Sequence, residues 1–193
     1  RHFSIFDGAF SHIGHLTCYS VKANSNLAVL NLFARLGGGA DVVSGGEIFR
    51  AVRAGIDPDK IVYSGVGKTD DEIDYALRTD ILMLNVESAA ELERVNAIAG
   101  RLGRKAPIAL RINPDVDPTT HTYISTGIKK NKFGIPIGDA PAVYADAAAK
   151  KHIDVKGAAC HIGSQITQTG PFVDALSRMR EFIASLKNSG IEI

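Results

Sequence analysis

Apolar and polar positions along the chain follow two alternating periods, and this pattern predicts strands and helices in regular alternation. Short apolar runs rich in β-branched residues are typical of buried strands, whereas apolar residues three and four positions apart are typical of helices. The predicted strands are 16–21, 41–43, 60–63, 81–86, 108–112 and 155–160. The predicted helices are 24–36, 47–54, 70–78, 88–102, 140–151 and 171–188.

Several of these helices carry their own start and stop signals. Thr69 is a predicted N-cap, and the stretch 88–91, Ser-Ala-Ala-Glu, matches a capping box. Glycines at 37–39 predict the end of the first helix, and Pro171 falls in the first turn of the last one. These signals support the alternation independently of the apolar pattern.

Six strand–helix units of this kind predict a parallel sheet covered by helices. The alternatives are an open doubly wound sheet and a closed barrel, and a (β/α)8 barrel needs eight units in about 250 residues. Six units in 193 residues keep that spacing. We therefore predict an α/β fold of the TIM-like barrel type, truncated to about six βα units, as one partial domain over 1–193. The chain lacks an initial Met and ends on 191–193, which resembles the start of a seventh strand.

The connection 113–136 is much longer than the others and is rich in Pro, Thr, Gly and Lys. Loops of that length in compact domains are usually functional or disordered. Because it follows a strand, it lies at the carboxyl end of a barrel, where active sites occur. A functional lid is the favoured interpretation, and a disordered insertion is the alternative.

The composition of the chain limits which binding partners and which cellular compartment are expected. The net charge is +1, from 22 basic and 21 acidic residues, which gives no reason to expect nucleic acid or a membrane as partner. No apolar run approaches the roughly 18 residues of a membrane span. Two cysteines, Cys18 and Cys160, in strand-like segments favour buried free thiols over a disulfide and a cytoplasmic location. No His/Cys cluster has zinc spacing, so no metal site is expected.

Residues at the carboxyl ends of barrel strands are the candidates for chemistry. Lys22, Asp41, Arg111 and His161 hold such positions, and Glu47 follows closely after the second. A lysine between an apolar strand and small residues is partly desolvated, which favours the neutral amine that forms imines. Taken singly, each has an ordinary alternative. Lys22 could be a solvated surface residue, Arg111 half of an ion pair, His161 a satisfied polar group, and the two acids helix caps.

One stretch of the sequence matches a phosphate-binding motif only in part. The stretch 65–69, Gly-Val-Gly-Lys-Thr, resembles the end of a phosphate-binding P-loop. The first glycine that a P-loop requires falls on Val62, so the sequence argues against nucleoside triphosphate binding.

Around Lys22 the chain resembles the fold-type III pyridoxal-phosphate decarboxylases, which share a Tyr-x-Val-Lys-Ala-Asn segment with 19–24. Further segments agree in order: 41–47, 111–114 and 161–165. The stretch 120–127 and the Asn-Lys-Phe-Gly of 131–134 are similar to the branch of that family that acts on diaminopimelate. The resemblance covers nearly the whole chain.

The resemblance implies pyridoxal 5'-phosphate as cofactor and a role for each matching residue. Lys22 would carry the cofactor as an imine, His161 would stack on its ring, Arg111 would lie near the ring's 3-oxygen, and Ser164 would bind the phosphate. Asp41 and Glu47 would position Lys22 and His161. A substrate loop would border the amino-acid substrate, with Thr120, His121, Tyr123, Ser125, Thr126 and Gly127.

The implied reaction is decarboxylation of meso-diaminopimelate to L-lysine by a homodimer whose active site lies at the interface. The family's later barrel strands, its β-domain and further site residues are not in this chain, so we expect the isolated chain to be inactive. Two alternatives stay open: a related decarboxylase of another basic amino acid, and a barrel that binds the cofactor without catalysis.

Overall fold

A computed structural model describes residues 1–114, 116 and 133–193. The chain forms two compact units, Arg1–Leu84 and Asn85–Ile193. In each unit the strand pairs described are parallel and helices alternate with them, as the sequence pattern predicts. Among the described residues, no helix is long and apolar enough to cross a membrane.

The first unit contains four helices and the strands that they connect. Its helices are α1 (His2–Gly8), α2 (Leu27–Arg35), α3 (Gly45–Arg53) and α4 (Asp70–Arg78). Its strands are β1 (Cys18–Ser20), β2 (Gly39–Val42), β3 (Ile61–Tyr63) and the first half of β4 (Met83–Val86). Two short 3-10 turns, Val21–Ala23 and Pro58–Lys60, complete it.

Strands β1 to β4 pair in chain order, with Ser20 opposite Asp41 and Tyr63 opposite Leu84. Parallel order requires each crossover to return over the sheet, which the intervening helices do. The strands are covered by fully buried side chains from the sheet and from the helices, including Leu30 and Ile48. Burying each such aliphatic side chain contributes about 1.5–3 kcal/mol before conformational entropy is counted. The first unit therefore has an apolar core of its own.

Gly39 shows how closely two of these strands approach. A Cβ atom at this position would overlap the carbonyl oxygen of Lys60 and would also lie 2.9 Å from the Cys18 sulfur. Only glycine fits there. Of the glycines at 37–39, Gly37 ends α2 with φ of +83°, as predicted, whereas Gly39 already belongs to β2.

The second unit continues the alternation. Its helices are α5 (Ala89–Arg101), α6 (Ala140–Ala149) and α7 (Gly170–Asn188). Its strands are β5 (Ala106–Asn113), β6 (Ile135–Pro136) and β7 (Ile153–Ala159). Ile108, Ala109 and Leu110 are buried in succession, which shows that both faces of β5 are covered.

Strand β5 pairs with β7 along most of its length and with β6 at its carboxyl end. The β5–β7 register shifts once: Ile108 faces Val155, and Ala109 faces Gly157. Lys156 is thus an extra residue, a β-bulge. The Tyr144 hydroxyl of α6 donates a 3.0 Å hydrogen bond to the carbonyl of Gly157, directly after the bulge, and burial raises the pKa of Tyr144.

The predicted elements agree with the structure in kind, and most of their boundaries shift by a few residues. Strand 16–21 is reduced to Cys18–Ser20. Helix 24–36 is reduced to Leu27–Arg35, because the Asn26 side chain accepts from the backbone N–H of Ala28 and caps the helix there. The sequence pattern did not predict α1, the two 3-10 turns or β6. Both cysteines are free as predicted, but Cys160 is exposed because it lies just past the end of β7.

Helix α4 begins at a complete capping box. The Thr69 hydroxyl accepts from the backbone N–H of Glu72 at 3.3 Å, and the Glu72 carboxylate accepts from the backbone N–H of Thr69 at 3.0 Å. The same carboxylate accepts from the backbone N–H of Gly45, which ties α4 to the start of α3. Desolvation raises the pKa of Glu72, but these hydrogen bonds outweigh it and lower the pKa overall.

Thr69→Ala should loosen the first turn of α4, because it leaves the backbone N–H of Glu72 without its cap. A lost N-cap costs about 1 kcal/mol, which corresponds to roughly fivefold faster local exchange. Hydrogen exchange of the α4 peptide measures this. The matched control is Thr169→Ala at the start of α7, whose side chain makes no capping hydrogen bond within the described residues. Equal effects of the two substitutions would contradict the prediction.

Candidate active site

The carboxyl ends of β1, β2 and β3 bring a carboxylate between two serines. Asp41 lies in β2 opposite Ser20 of β1, and Ser64 directly follows β3. The Ser20 hydroxyl donates to one Asp41 oxygen at 3.0 Å, and the Ser64 hydroxyl donates to the other at 2.6 Å. Both oxygens are held, so the orientation of this carboxylate is fixed by its neighbours on either side.

Lys22 lies in the 3-10 turn that follows β1, two residues beyond Ser20. Val21 is fully buried and anchors the turn, and the backbone N–H of Asn24 closes it on the carbonyl of Val21 at 3.1 Å. In the part of the chain that the structure describes, no hydrogen bond or ion pair engages the Lys22 amine. The Lys22 side chain is exposed, so the prediction that it is partly desolvated is wrong in this structure. The reason is that Lys22 lies beyond the end of β1 and not within the strand.

Glu47 has the role of a helix cap, one of the two alternatives that the sequence left open. Its carboxylate accepts from the backbone N–H of Val43 at 2.8 Å, while its own N–H donates to the Ser44 hydroxyl. Helix α5 repeats the arrangement: Ser88 accepts from the N–H of Glu91, and Glu91 accepts from the N–H of Glu87. Of the two hydrogen bonds of the capping box predicted at 88–91, the one accepted by the Ser88 hydroxyl is present. The Glu91 carboxylate accepts from the N–H of Glu87 and not from that of the N-cap residue, Ser88.

In the second unit, Arg111 forms an ion pair that the sequence analysis did not identify. Its Nη1 donates to Oε1 of Glu87 at 2.7 Å. The side chains are 15% and 3% exposed, respectively, so the pair is largely shielded from water. Arg111 lies two residues before the end of β5, opposite Ala159 of β7.

His161 follows β7 by two residues and is exposed. The backbone N–H of Gly163 approaches its Nδ1 at 3.4 Å. Gly163 and Gln165, with φ of +136° and +59°, curve the chain around Ser164, whose side chain is exposed. Left-handed backbone at a non-glycine residue such as Gln165 is uncommon, and such conformations cluster at ligand sites.

A cavity of about 330 Å³ lies beside this loop. His161 and Gly163 line it on one side, and apolar side chains of α7, including Phe172 and Met179, line the other. Small-molecule sites are typically concave, mostly apolar and equipped with a few polar groups. The loop that follows β7 and contains His161 thus opens onto a cavity that resembles a small-molecule site.

The predicted site residues fall into two sets, one in each unit. Asp41 and Lys22 follow adjacent strand ends in the first unit, and Arg111, His161 and Ser164 belong to the second. Convergence of the two sets on one ligand stays a prediction. The predicted substrate-loop residues lie outside the described residues: Thr120, His121, Tyr123, Ser125, Thr126 and Gly127.

Sequence reasoning missed three residues that hold the predicted ones in place: Ser20, Ser64 and Glu87. Each lies at, or directly after, the carboxyl end of a strand. That position was the available signal, and it had already selected Lys22 and His161. What the sequence lacks is any sign of which partner each residue would contact.

Comparison with known proteins identifies the fold and the family. The family model described as "Pyridoxal-dependent decarboxylase, pyridoxal binding domain" matches residues 1–193. The chain belongs to this family. Its match to the pyridoxal-binding domain confirms the predicted cofactor at the level of the family, and the resemblance seen in the sequence is confirmed with it.

Two curated relatives of this chain carry the same name. The chain is 55% identical to a diaminopimelate decarboxylase of Vibrio cholerae over 193 residues, which are 100% of this chain and 46% of that protein. It is 56% identical to the enzyme of Pseudomonas aeruginosa over 185 residues, 96% of this chain and 45% of that protein. The chain therefore spans about half the length of the curated relatives it matches.

Solved structures confirm the class of fold. A crystal structure of diaminopimelate decarboxylase from Helicobacter pylori, complexed with L-lysine, matches with a TM-score of 0.92 at 46% identity. The match covers 98% of this chain and 48% of that one. The arginine decarboxylase of Paramecium bursaria Chlorella virus matches with a TM-score of 0.80 at 21% identity, which supports the fold alone. The predicted barrel-type α/β fold is thus that of the family.

The chemistry of the described donor groups fits pyridoxal phosphate. The exposed Lys22 amine is available for a covalent link to the aldehyde. The curved loop around Ser164 offers a hydroxyl for a phosphate, and the His161 side chain is exposed beside it. The guanidinium of Arg111 carries a permanent positive charge, which suits an anionic group of a ligand.

Asp41→Asn should make the Cys18 thiol more reactive. Burial, together with the negative charge of Asp41, raises the pKa of Cys18 to about 11. The thiolate is the reactive form, so alkylation of the native protein keeps accelerating up to about that pH. Removing the charge lowers the pKa and moves the rate profile to lower pH. Peptide mass spectrometry after iodoacetamide treatment between about pH 7 and 10 measures the profile.

Asp57→Asn is the control for this experiment, because Asp57 pairs with Lys60 at the surface of the same unit. We expect it to leave the alkylation profile of Cys18 unchanged. A profile that does not move in Asp41→Asn would show that the carboxylate exerts no influence on the thiol.

Proposed function

We propose that the protein carrying this chain is a diaminopimelate decarboxylase, which converts meso-2,6-diaminopimelate to L-lysine and carbon dioxide. The observation that carries the proposal is 55% identity to the Vibrio cholerae enzyme along all 193 residues. The matched region includes every segment that bears a candidate site residue. As a carboxy-lyase, the protein would act in lysine biosynthesis.

Each site residue has a proposed role in holding the cofactor. Lys22 would bind it through its amine, His161 would lie against the ring, and Ser164 would donate a hydrogen bond to the phosphate. Arg111 would lie near the 3-oxygen of the ring. When bound, pyridoxal phosphate supplies an electron sink for the electron pair left when the carboxylate departs as carbon dioxide.

The first unit supports a further role for Asp41. Its carboxylate is fixed by Ser20 and Ser64, and Ser20 is two residues from Lys22 along the chain. We assign to Asp41 the task of positioning the Lys22 amine when the cofactor is bound. The two serines would then act indirectly, by keeping the carboxylate in one orientation.

The substrate would be bordered by the loop containing Thr120, His121, Tyr123, Ser125, Thr126 and Gly127. The proposal includes a cytoplasmic homodimer with the active site at its interface. The free thiols of Cys18 and Cys160 are compatible with a reducing compartment. Dimerisation rests on the resemblance to the family, and sedimentation of the whole protein tests it.

Lys22→Ala should abolish covalent attachment of the cofactor. Sodium borohydride treatment of the whole protein loaded with pyridoxal phosphate should fix the cofactor to the peptide that contains Lys22, which mass spectrometry detects. Lys60→Ala is the control, because the Lys60 side chain pairs with Asp57 at the surface, and this variant should label like the unmodified protein. Labelling at another lysine, with Lys22 unlabelled, would contradict the assignment.

A substrate panel tests the reaction itself. We expect the whole protein to release carbon dioxide from meso-diaminopimelate with at least about 100-fold higher kcat/KM than from ornithine, arginine or lysine, because polar groups that recognise a substrate discriminate strongly. Preference for another basic amino acid would indicate the related decarboxylase. Covalent labelling of Lys22 without any carbon dioxide release would indicate a binding protein.

A further inference from the structure

We infer that Glu87 is the positioning residue of Arg111: it fixes the guanidinium so that the remaining N–H groups of Arg111 face a bound ligand. The inference rests on the proposed function, because the ligand in question is the cofactor. Glu87 itself would not touch the cofactor. Its effect would be transmitted through the ion pair with Arg111.

The geometry of this pair separates it from the other ion pairs of the second unit. Nη1 of Arg111 is 2.7 Å from Oε1 of Glu87, and the Glu87 side chain is 3% exposed. In contrast, Lys150 pairs with Glu93 at 2.6 Å, but the Glu93 side chain is 62% exposed and the pair is screened by solvent. Desolvation strengthens the attraction in the Glu87–Arg111 pair and makes its loss costly.

Glu87 is held in place by the helix that follows it. Its backbone N–H donates to the Glu91 carboxylate at 2.9 Å, and Glu91 is itself anchored by the N-cap hydroxyl of Ser88. Glu91 is 7% exposed, so this anchor is shielded as well. The Glu87 carboxylate therefore projects from a backbone that the first turn of α5 fixes.

The other end of the pair is also rigid. Arg111 is paired in β5 with Ala159 of β7. On the other side, Gly134 approaches so closely that a Cβ atom there would lie 3.1 Å from the Arg111 carbonyl oxygen. The backbone of Arg111 has little room to shift, so the direction of its guanidinium depends on what its side chain contacts.

Arg111 keeps donor capacity beyond this ion pair. A guanidinium has five N–H donors, and within the described part of the chain the hydrogen bond to Glu87 is the one that Arg111 makes through its side chain. Its positive charge also lowers the pKa of Cys160, although desolvation of the thiol by neighbouring groups raises that pKa more, even though the residue as a whole is exposed. The field of Arg111 thus reaches the residue next to His161.

Buried ion pairs contribute little to stability compared with apolar residues of the same volume. In some proteins such groups instead specify one particular arrangement. The ion pair is shielded and attached rigidly at both ends, and Arg111 has donors that the described residues do not use. These features together favour orientation of a ligand-binding group over stabilisation of the fold.

The test measures cofactor affinity in the whole protein after removal of bound pyridoxal phosphate. Glu87→Gln retains the shape of the side chain and removes its charge, so the Kd for pyridoxal phosphate should rise about tenfold, as expected for coupling between contacting charged residues. Glu87→Asp keeps the charge but withdraws it by one methylene, and we expect an intermediate rise of about threefold. The visible absorption maximum of the bound cofactor should shift in both variants.

Glu93→Gln is the matched control and should leave the Kd and the spectrum unchanged, because Glu93 is a solvent-exposed glutamate in an ion pair of the same unit. A double-mutant cycle tests whether Glu87 affects the Kd through Arg111. In an Arg111→Met background, Glu87→Gln should change the Kd by less than about twofold, because the group through which it acts is gone.

An unchanged Kd and spectrum in both Glu87 variants, with cofactor bound normally by the unmodified protein, would overturn this inference and leave the proposed function intact. A full tenfold effect in the Arg111→Met background would also overturn it. Should Glu87→Gln fail to fold, Glu87→Asp against the unmodified protein decides the matter. Failure of the unmodified protein to bind pyridoxal phosphate would overturn both proposals.

Discussion

Parallel strand pairing is the constraint on which the rest of the structure depends. Because neighbouring strands run in the same direction, their carboxyl ends emerge at the same edge, and residues far apart in the chain meet there. Asp41 is fixed by serines from the strands on both sides, and Arg111 shares a register position with Ala159, just before His161. In each unit, polar chemistry is concentrated at strand ends while the strands themselves are buried.

The first turns of the helices hold these polar residues at defined positions. Two helices begin with the pattern Ser-x-x-Glu, and in both the glutamate reaches back to the backbone N–H of the residue before the N-cap. Carboxylates near a helix N-terminus are favoured by the helix dipole and by unsatisfied N–H groups. The loop between strand and helix is thereby tightened at the positions where candidate residues occur. Glu87 illustrates the result, since its backbone belongs to such a loop and its side chain reaches Arg111.

Local signals were enough to predict much of this fold. Helix 70–78 matches the structure at both ends because Thr69 and Glu72 are close in the sequence and determine the start of the helix between themselves. The motif around Lys22 likewise identified the family. Contacts across long separations could not be predicted: Glu87 and Arg111 are 24 residues apart, and Asp41 and Ser64 are 23 apart. Strand β6 has only two residues, too few for any periodicity.

The single extra residue at Lys156 has a consequence for everything that follows it in β7. Side chains of a strand point alternately to opposite sides, and a bulge absorbs its extra residue so that the residues after it keep the faces of their partners on the neighbouring strand. The residues from Gly157 to Ala159 therefore stay in register with those from Ala109 to Arg111, although the chain is one residue longer on this side. Tyr144 donates its hydrogen bond to the carbonyl directly beyond the bulge, at the position where regular pairing resumes.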